Sequence, residues 1–141
     1  EIAIMESKRL NIIVGMDFSG NPTKGNFNDF IPALTHARAN GLKITLHAAE
    51  VPEPDNESEE FIDMKHAPYG EMETIINFKP HRLGHAVMLT DAHKKQLLDL
   101  YQQDVHTAKE GLTTYNAPLI EICPSSNIVT LLLDHISAHP T

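Results

Sequence analysis

The chain has 141 residues, which is enough for one domain with a substantial core. Its formal net charge of −8 argues against a nucleic-acid partner, because phosphate binding requires clustered lysine and arginine. No apolar run reaches the ~18 residues that a membrane span needs, so we expect no membrane partner. No signal peptide is visible, and the single cysteine excludes an internal disulfide. We therefore expect a cytoplasmic protein.

The apolar pattern predicts helices and strands in alternation. Thr90 is the expected cap of the helix over 90–103, and Asn28 or Asp29 is the expected cap of the helix over 28–40. The segments 51–60 and 105–117 are predicted to be irregular. The predicted elements, in chain order, are a helix over 1–9, a strand over 11–17, a helix over 28–40, a strand over 42–47, a helix over 69–78, a strand at 82–86, a helix over 90–103, a strand over 119–123 and a helical segment over 128–135.

This alternation favours an α/β fold with a parallel sheet. The spacing between strand ends fits a β/α unit, which takes about 30 residues or more. Four such units correspond to about half of an eight-stranded (β/α)8 TIM barrel, which typically needs ~250 residues. A small doubly wound sheet is the alternative architecture, and the spacing alone does not exclude it.

Polar residues collect where the predicted strands end. The strand at 42–47 delivers His47 and, three residues later, Glu50, with two alanines between them that leave room against the backbone. His47 could hold a metal ion and Glu50 could transfer a proton beside it. The alternative is a core histidine followed by a surface carboxylate.

Four further residues at strand ends have structural alternatives to a functional role. His85 could be a histidine hydrogen-bonded to backbone, and Gly20 a turn glycine with positive φ. Asp17 could be a turn or helix cap. Cys123 is expected to be a small buried apolar residue, because no basic partner for a thiolate is evident.

Four short motifs at these strand ends resemble, in their order and spacing, the adenosine/AMP deaminase family of zinc hydrolases. The resemblance covers residues 11–127 and is strongest to the adenosine deaminase-like branch, whose members convert N6-methyl-AMP and related nucleotides to inosine monophosphate and an amine. The motifs are Asp17-Phe18-Ser19-Gly20, His47-Ala48-Ala49-Glu50, Arg82-Leu83-Gly84-His85 and Glu121-Ile122-Cys123-Pro124-Ser125-Ser126-Asn127.

The resemblance implies a role for each of five residues. His47 matches a zinc ligand, and Glu50 matches the acid that protonates the purine ring nitrogen beside the carbon under attack. His85 matches the histidine that orients and deprotonates the zinc-bound water. Gly20 matches a glycine that contacts the substrate, and Asp17 supports the site from the same turn. The implied ligands are one Zn²⁺ ion and a small purine nucleotide.

The family pattern also requires a His-x-His motif on the first barrel strand and an Asp-Asp pair on the eighth, and neither occurs in this sequence. We therefore expect a single partial domain over 1–141, equivalent to barrel units four to seven, with the other zinc ligands outside the chain. Residues 128–139 match the family poorly. Since a catalytic zinc ion takes at least three protein ligands, we expect the chain alone to be inactive. We also expect it to associate, because a half barrel exposes two sheet edges and an apolar face.

Two other functions stay open at this point. The first is deamination of free adenosine, and a phosphate pocket would separate it from nucleotide deamination; Ser125, Ser126 and Asn127 are the candidate phosphate contacts. The second is a truncated, inactive product that acts only as a binding partner.

Overall fold

The computed structural model describes residues 1–54, 66–111 and 115–130. The helices and strands alternate along the chain as the sequence predicts. They are α1 (Ile2–Leu10), β1 (Gly15–Phe18), a 3₁₀ turn (Phe27–Asp29), α2 (Ile31–Ala39), β2 (Lys43–Ala48), α3 (Glu71–Phe78), β3 (Arg82–His85), α4 (Asp91–Lys109), β4 (Leu119–Glu121) and α5 (Pro124–Thr130).

The four strands form one parallel sheet in the order β1-β2-β3-β4, so neighbours in sequence are neighbours in space. In this register Asp17 lies opposite Thr45, Ala48 opposite His85, and Gly84 opposite Glu121. Because all strands run the same way, their carboxyl ends meet at one edge of the sheet. The predicted parallel sheet is therefore confirmed, with the predicted site residues at that edge.

The core lies on one face of this sheet. Ile44, Leu46 and Leu83 are almost completely buried, whereas the alternate β2 residues Thr45 and His47 are only partly covered. This period of two separates a helix-covered apolar face from a more open, polar face. The helices contribute Leu34, Ala37, Met72, Ile75 and Ile76 to the core.

The first strand is shorter than predicted. Asn11 ends α1 in a left-handed conformation with φ 52°, and its N–H donates to the Ser7 carbonyl. The chain joins the sheet only where the N–H of Lys43 donates to the carbonyl of Val14, so β1 begins at Gly15 and not at Asn11. An αL asparagine is a common helix stop. Here Asn11, which was predicted to begin the strand, ends the helix instead.

The predicted cap of α2 was wrong. Asn26 caps the 3₁₀ turn, its side chain accepting a hydrogen bond from the Asn28 N–H at 2.9 Å. The α-helix itself begins at Ile31, with Pro32 in its first turn. Proline suits that position because its missing N–H would have no helical partner there.

Helix α4 begins as predicted and ends later. The Thr90 hydroxyl accepts a hydrogen bond from the N–H of His93, which confirms the cap. The helix continues past residue 103 to Lys109, so the first part of the predicted irregular connection is helical. This helix packs against the core through Leu97 and Leu100, and it leaves Leu98 and Tyr101 52% and 59% exposed.

A buried carboxylate on α4 fixes the connection to β4. Asp104 accepts hydrogen bonds from the backbone N–H groups of Asn116 and Ala117, each at 2.7 Å. Burial would raise the pKa of Asp104, but these hydrogen bonds hold it below its ordinary value. The contact sets where the chain enters β4.

The ends of two other predicted segments differ or lie outside the described residues. The segment 51–54 has no regular structure, as predicted, and residues 55–60 are outside the described part. β4 ends at Glu121 and not at Cys123, and α5 starts at Pro124, ahead of the predicted helical segment; residues beyond 130 are not described. None of the described helices is long and apolar enough to cross a membrane.

We expect Leu46→Ala to lower the free energy of unfolding by about 2–5 kcal/mol, because it removes a side chain from the fully buried face of β2. Leu98→Ala is the matched control, and its exposed position predicts a change within about 0.5 kcal/mol. Urea unfolding of both variants measures the difference. Equal losses would show that the apolar face assigned here is not the core.

Candidate active site

The site is built on the carboxyl ends of β2 and β3. His47 lies near the end of β2, and His85 is the last residue of β3. Their imidazole rings are 5.0 Å apart between centroids and meet edge to face, with an interplanar angle of 75°. The structure thus brings together two histidines that the sequence places on separate strands.

Gly84 makes this approach possible. It pairs with His47 in the register of β2 and β3, and a Cβ atom at residue 84 would lie 2.9 Å from both Cγ and Nδ1 of the His47 ring. Any side chain at this position would therefore push the ring away. No role for Gly84 was predicted, although a glycine inside a strand is a signal for close approach of another group.

Three residues at the ends of β2 and β3 adopt left-handed backbone conformations that glycine usually takes. Ala49, His85 and Ala86 have φ angles of 52°, 65° and 54°. Such a conformation costs about 1 kcal/mol or more for a residue with a side chain. Hydrogen bonds from the N–H of Ala86 to Ala48 and of Met88 to Ala49 hold the two strand ends together in this shape.

Two carboxylates flank the histidine pair. Nε2 of His85 lies 3.6 Å from Oε2 of Glu50, and both side chains are largely buried. Nε2 of His47 lies 3.3 Å from Oδ1 of Asp17, whose side chain is 59% exposed. The structure therefore places Asp17, His47, Glu50 and His85 in one cluster; the catalytic, metal-binding and substrate-binding roles assigned to them stay predictions.

Gly20 lies beyond the end of β1, at the same edge of the sheet as Asp17. It is exposed, and nothing lies within 4 Å of the position that a Cβ atom would take. Its φ is not in the left-handed region, so the explanation of this residue as a positive-φ turn glycine is wrong. Its role as a substrate contact stays a prediction.

Asn127, predicted as a phosphate contact, is a functional candidate in another role. It is completely buried, and its Oδ1 lies 2.5 Å from Nδ1 of His85. Because an amide oxygen only accepts hydrogen bonds, His85 carries its proton on Nδ1 and, when neutral, has a lone pair on Nε2. Asn127 therefore sets the tautomer of His85.

The neighbouring Ser126 holds the carboxylate. Its hydroxyl donates to Oε1 of Glu50 at 3.1 Å. Ser126 and Asn127 were predicted to contact a phosphate. In the structure, α5 instead directs these two residues at Glu50 and His85. Ser125, the third candidate phosphate contact, is exposed, and its role as a phosphate contact stays a prediction.

Cys123 is only half-buried, so the prediction of a buried apolar residue was wrong. It follows β4, and its Sγ lies with one ring nitrogen of His47 and one of His85 in a group whose members are all within 4.8 Å of one another. Nitrogen and thiolate sulfur are donors that zinc prefers. The chain thus offers two possible metal donors besides His47.

A second pair of carboxylates lies beside the end of β2. Glu53 accepts hydrogen bonds from the N–H groups of Gly70 and Met72 and so caps α3. Burial, with a smaller contribution from the negative charge of Glu53, raises the pKa of Glu71 to about 7.

No family model matches the chain. The chain is 35% identical over 127 residues to the N6-mAMP deaminase of Arabidopsis thaliana, covering 90% of this chain and 27% of that protein. It is also similar to two crystal structures of Arabidopsis ADAL. The complex with GMP has a TM-score of 0.64 at 33% identity, and the complex with IMP has 0.64 at 32% identity; each match covers 96% of this chain and 31% of the other.

These similarities confirm the resemblance found in the sequence and the assignment of the fold as part of a TIM barrel. The chain spans less than a third of the length of the proteins that it matches. Its described residues supply four parallel strands, half of the eight in such a barrel.

We expect Asn127→Ala to lower the free energy of unfolding by about 1–3 kcal/mol, because it leaves the buried Nδ1–H of His85 without an acceptor. Ser125→Ala, two residues earlier in the same helix and exposed, should change it by less than about 0.5 kcal/mol. Nitrogen NMR of the imidazole should show mixed tautomers of His85 in the first variant only. A single unchanged tautomer in Asn127→Ala would contradict the assignment.

The raised pKa of Glu71 predicts a pH dependence of stability. Between the ordinary value of 4.5 and about 7 the folded chain binds more protons at Glu71 than the unfolded chain, so this residue's contribution to stability falls as pH rises through that window. Glu71→Gln should therefore become progressively more stable than the original protein from pH 4.5 to 7, and the gain should level off above 7. Glu73→Gln, at an exposed site on the same helix, should show no such trend.

Proposed function

Since the chain belongs to the adenosine/AMP deaminase family, with matches in the N6-methyl-AMP deaminases, we propose that it forms part of a zinc-dependent hydrolase of the cytoplasm. The proposed reaction converts N6-methyl-AMP and water to inosine monophosphate and methylamine. The observation that carries the proposal is that His47, Glu50 and His85 meet at the carboxyl-terminal edge of the sheet. Nε2 of His85 lies 3.6 Å from Oε2 of Glu50.

Glu50 is the proposed acid. Addition of water to the purine carbon that bears the amine forms a C–O bond and places electron density on the adjacent ring nitrogen, which must gain a proton. Ser126 and His85 contact the two different oxygens of the Glu50 carboxyl group, and so they fix its plane. The side chain is 13% exposed, so a bound purine can exclude water from it.

His85 is the proposed base. With its Nδ1–H donated to Asn127, its Nε2 lone pair can accept a proton from the attacking water. The proton is then available for the departing amine, whose C–N bond breaks as the carbonyl of the product forms. The rigid position of His85 lowers the cost of orienting the water.

His47 is the proposed zinc ligand, and Asp17 holds its ring through the 3.3 Å contact. When bound, the ion would supply a hydroxide nucleophile near neutral pH by lowering the pKa of its water to about 7. Gly20, beside Asp17, is the proposed backbone contact to the purine. The GMP and IMP bound to the Arabidopsis ADAL structures support a purine nucleotide as the ligand here.

A chimera tests the assignment of the acid. The aligned segment of this chain replaces its counterpart in the Arabidopsis N6-mAMP deaminase, which supplies the rest of the barrel. We expect turnover of N6-methyl-AMP, and Glu50→Gln should lower kcat by at least about 100-fold while zinc content stays unchanged. Glu73→Gln is the matched control and should keep full activity. A near-normal rate in Glu50→Gln would show that another group supplies the proton.

The same chimera separates the two substrates. We expect faster turnover of N6-methyl-AMP than of adenosine, and the opposite order would favour adenosine deamination. The 141-residue chain by itself should show no turnover of either compound, because its sequence has neither the His-x-His nor the Asp-Asp motif.

A further inference from the structure

The segment that follows β2 carries the proposed acid Glu50 and is fastened to the fold on both sides of that residue. We propose that Glu53 is a positioning residue for Glu50, because it ties this segment to the N-terminus of α3. The inference rests on the proposed function and extends it to a residue outside the cluster of Asp17, His47, Glu50 and His85.

The first attachment lies directly before Glu50. The carbonyl of Ala49 accepts hydrogen bonds from the N–H groups of Val87 and Met88 at 3.1 and 2.8 Å. These two donors belong to the segment that follows β3. The chain is therefore held to the end of β3 at the residue before the acid.

The second attachment lies on the other side of the acid. One carboxyl oxygen of Glu53 accepts a hydrogen bond from the N–H of Met72 at 2.5 Å, and the other oxygen accepts one from the N–H of Gly70 at 3.1 Å. The carbonyl of Pro52 accepts a further hydrogen bond from the N–H of Ala67 at 2.9 Å. Only two residues lie between the two attachments, so the backbone of the acid has little conformational freedom.

Helix α3 uses this distant carboxylate because its own N-cap has no side chain. The N-cap is Gly70, which makes no side-chain capping hydrogen bond. Glu53, 17 positions earlier in the chain, accepts from N–H groups at this end of the helix, where a negative charge also interacts favourably with the helix dipole. Helix α3 packs into the core through Met72, Ile75 and Ile76, so the segment is attached to a fixed element.

A second carboxyl group shares the cavity beside this attachment. Glu53 and Glu71 line the cavity together with His93 of α4. Burial, with a smaller contribution from Glu53, raises the pKa of Glu71 to about 7, so at about pH 6 Glu71 is mostly protonated and repels Glu53 little. A pH of about 6 therefore keeps the attachment intact in kinetic measurements.

The attachment matters for catalysis because the acid must reach one ring nitrogen of the purine. Ser126 and His85 contact the two oxygens of the Glu50 carboxyl group, and so they act on the end of the side chain and not on its backbone. Without Glu53, the segment would lose two of the hydrogen bonds that hold it on the C-terminal side of the acid. A displacement of about 1 Å at a reacting group can cost about 100-fold in rate.

The chimera tests the positioning role by separating kcat from KM. Glu53→Ala should lower kcat for N6-methyl-AMP at least about tenfold and change KM by less than about twofold, because the acid acts in the chemical step. Ile76→Val is the matched control. It removes one buried methylene group from the same helix, destabilises the protein by an amount comparable to a lost helix cap, and should keep kcat within about twofold. An equal loss of kcat in the two variants would overturn the proposal.

Amide exchange in the 141-residue chain tests the attachment without a nucleotide. The N–H of Ala67 donates to the carbonyl of Pro52, so its exchange rate reports whether the segment stays against α3. Glu53→Ala should speed exchange of this amide at least about tenfold, whereas the amide of Met88, at the first attachment, should exchange as in the original chain. Unchanged exchange at Ala67 would contradict the positioning role.

Failure of this inference is distinguishable from failure of the proposed function. If the unsubstituted chimera turns over no nucleotide, or if Glu50→Gln keeps a near-normal rate, the assignment of the acid fails and the positioning role falls with it. If Glu50→Gln abolishes turnover and Glu53→Ala leaves kcat unchanged, the positioning role alone is wrong.

Discussion

The parallel register between β2 and β3 is the constraint on which the site depends. It puts Gly84 opposite His47 and His85 opposite Ala48, so one histidine ring lies over a residue without a side chain and meets the other ring. A shift of one residue would move His47 to the opposite face of the sheet, among the buried apolar residues. The fully buried Ile44, Leu46 and Leu83 prevent that shift, so the core determines the geometry of the site.

The second level of organisation comes from α5, which follows β4. Two consecutive residues of this short helix contact the two groups with proposed proton-transfer roles: Ser126 binds Glu50, and Asn127 binds His85. The acid and the base are thus positioned by one element. The left-handed conformations of Ala49 and His85 turn the chain sharply where β2 and β3 end, at a cost that the paired strand ends offset.

Much of this arrangement could be predicted from local sequence patterns. Strand and helix alternation indicated the parallel sheet, and the polar residues that follow apolar runs indicated the edge where His47, Glu50 and His85 lie. The contact between His85 and Asn127 could not be predicted this way, since the residues are 42 positions apart and no local pattern couples them. The extent of α4 was missed because the polar segment 105–117 was interpreted as an irregular connection, although no stop signal occurs between residue 103 and Gly111. Cys123 was misassigned because its exposure depends on how β4 ends.

Glu50 and His85 are proposed to act together on one purine base, and a crystal structure of the chimera with inosine monophosphate bound tests these roles. We expect the Glu50 carboxyl group within hydrogen-bonding distance of the ring nitrogen and Nε2 of His85 beside the oxygen that replaced the amine. A purine held away from this edge of the sheet, or with its sugar and not its base at Glu50, would contradict both roles.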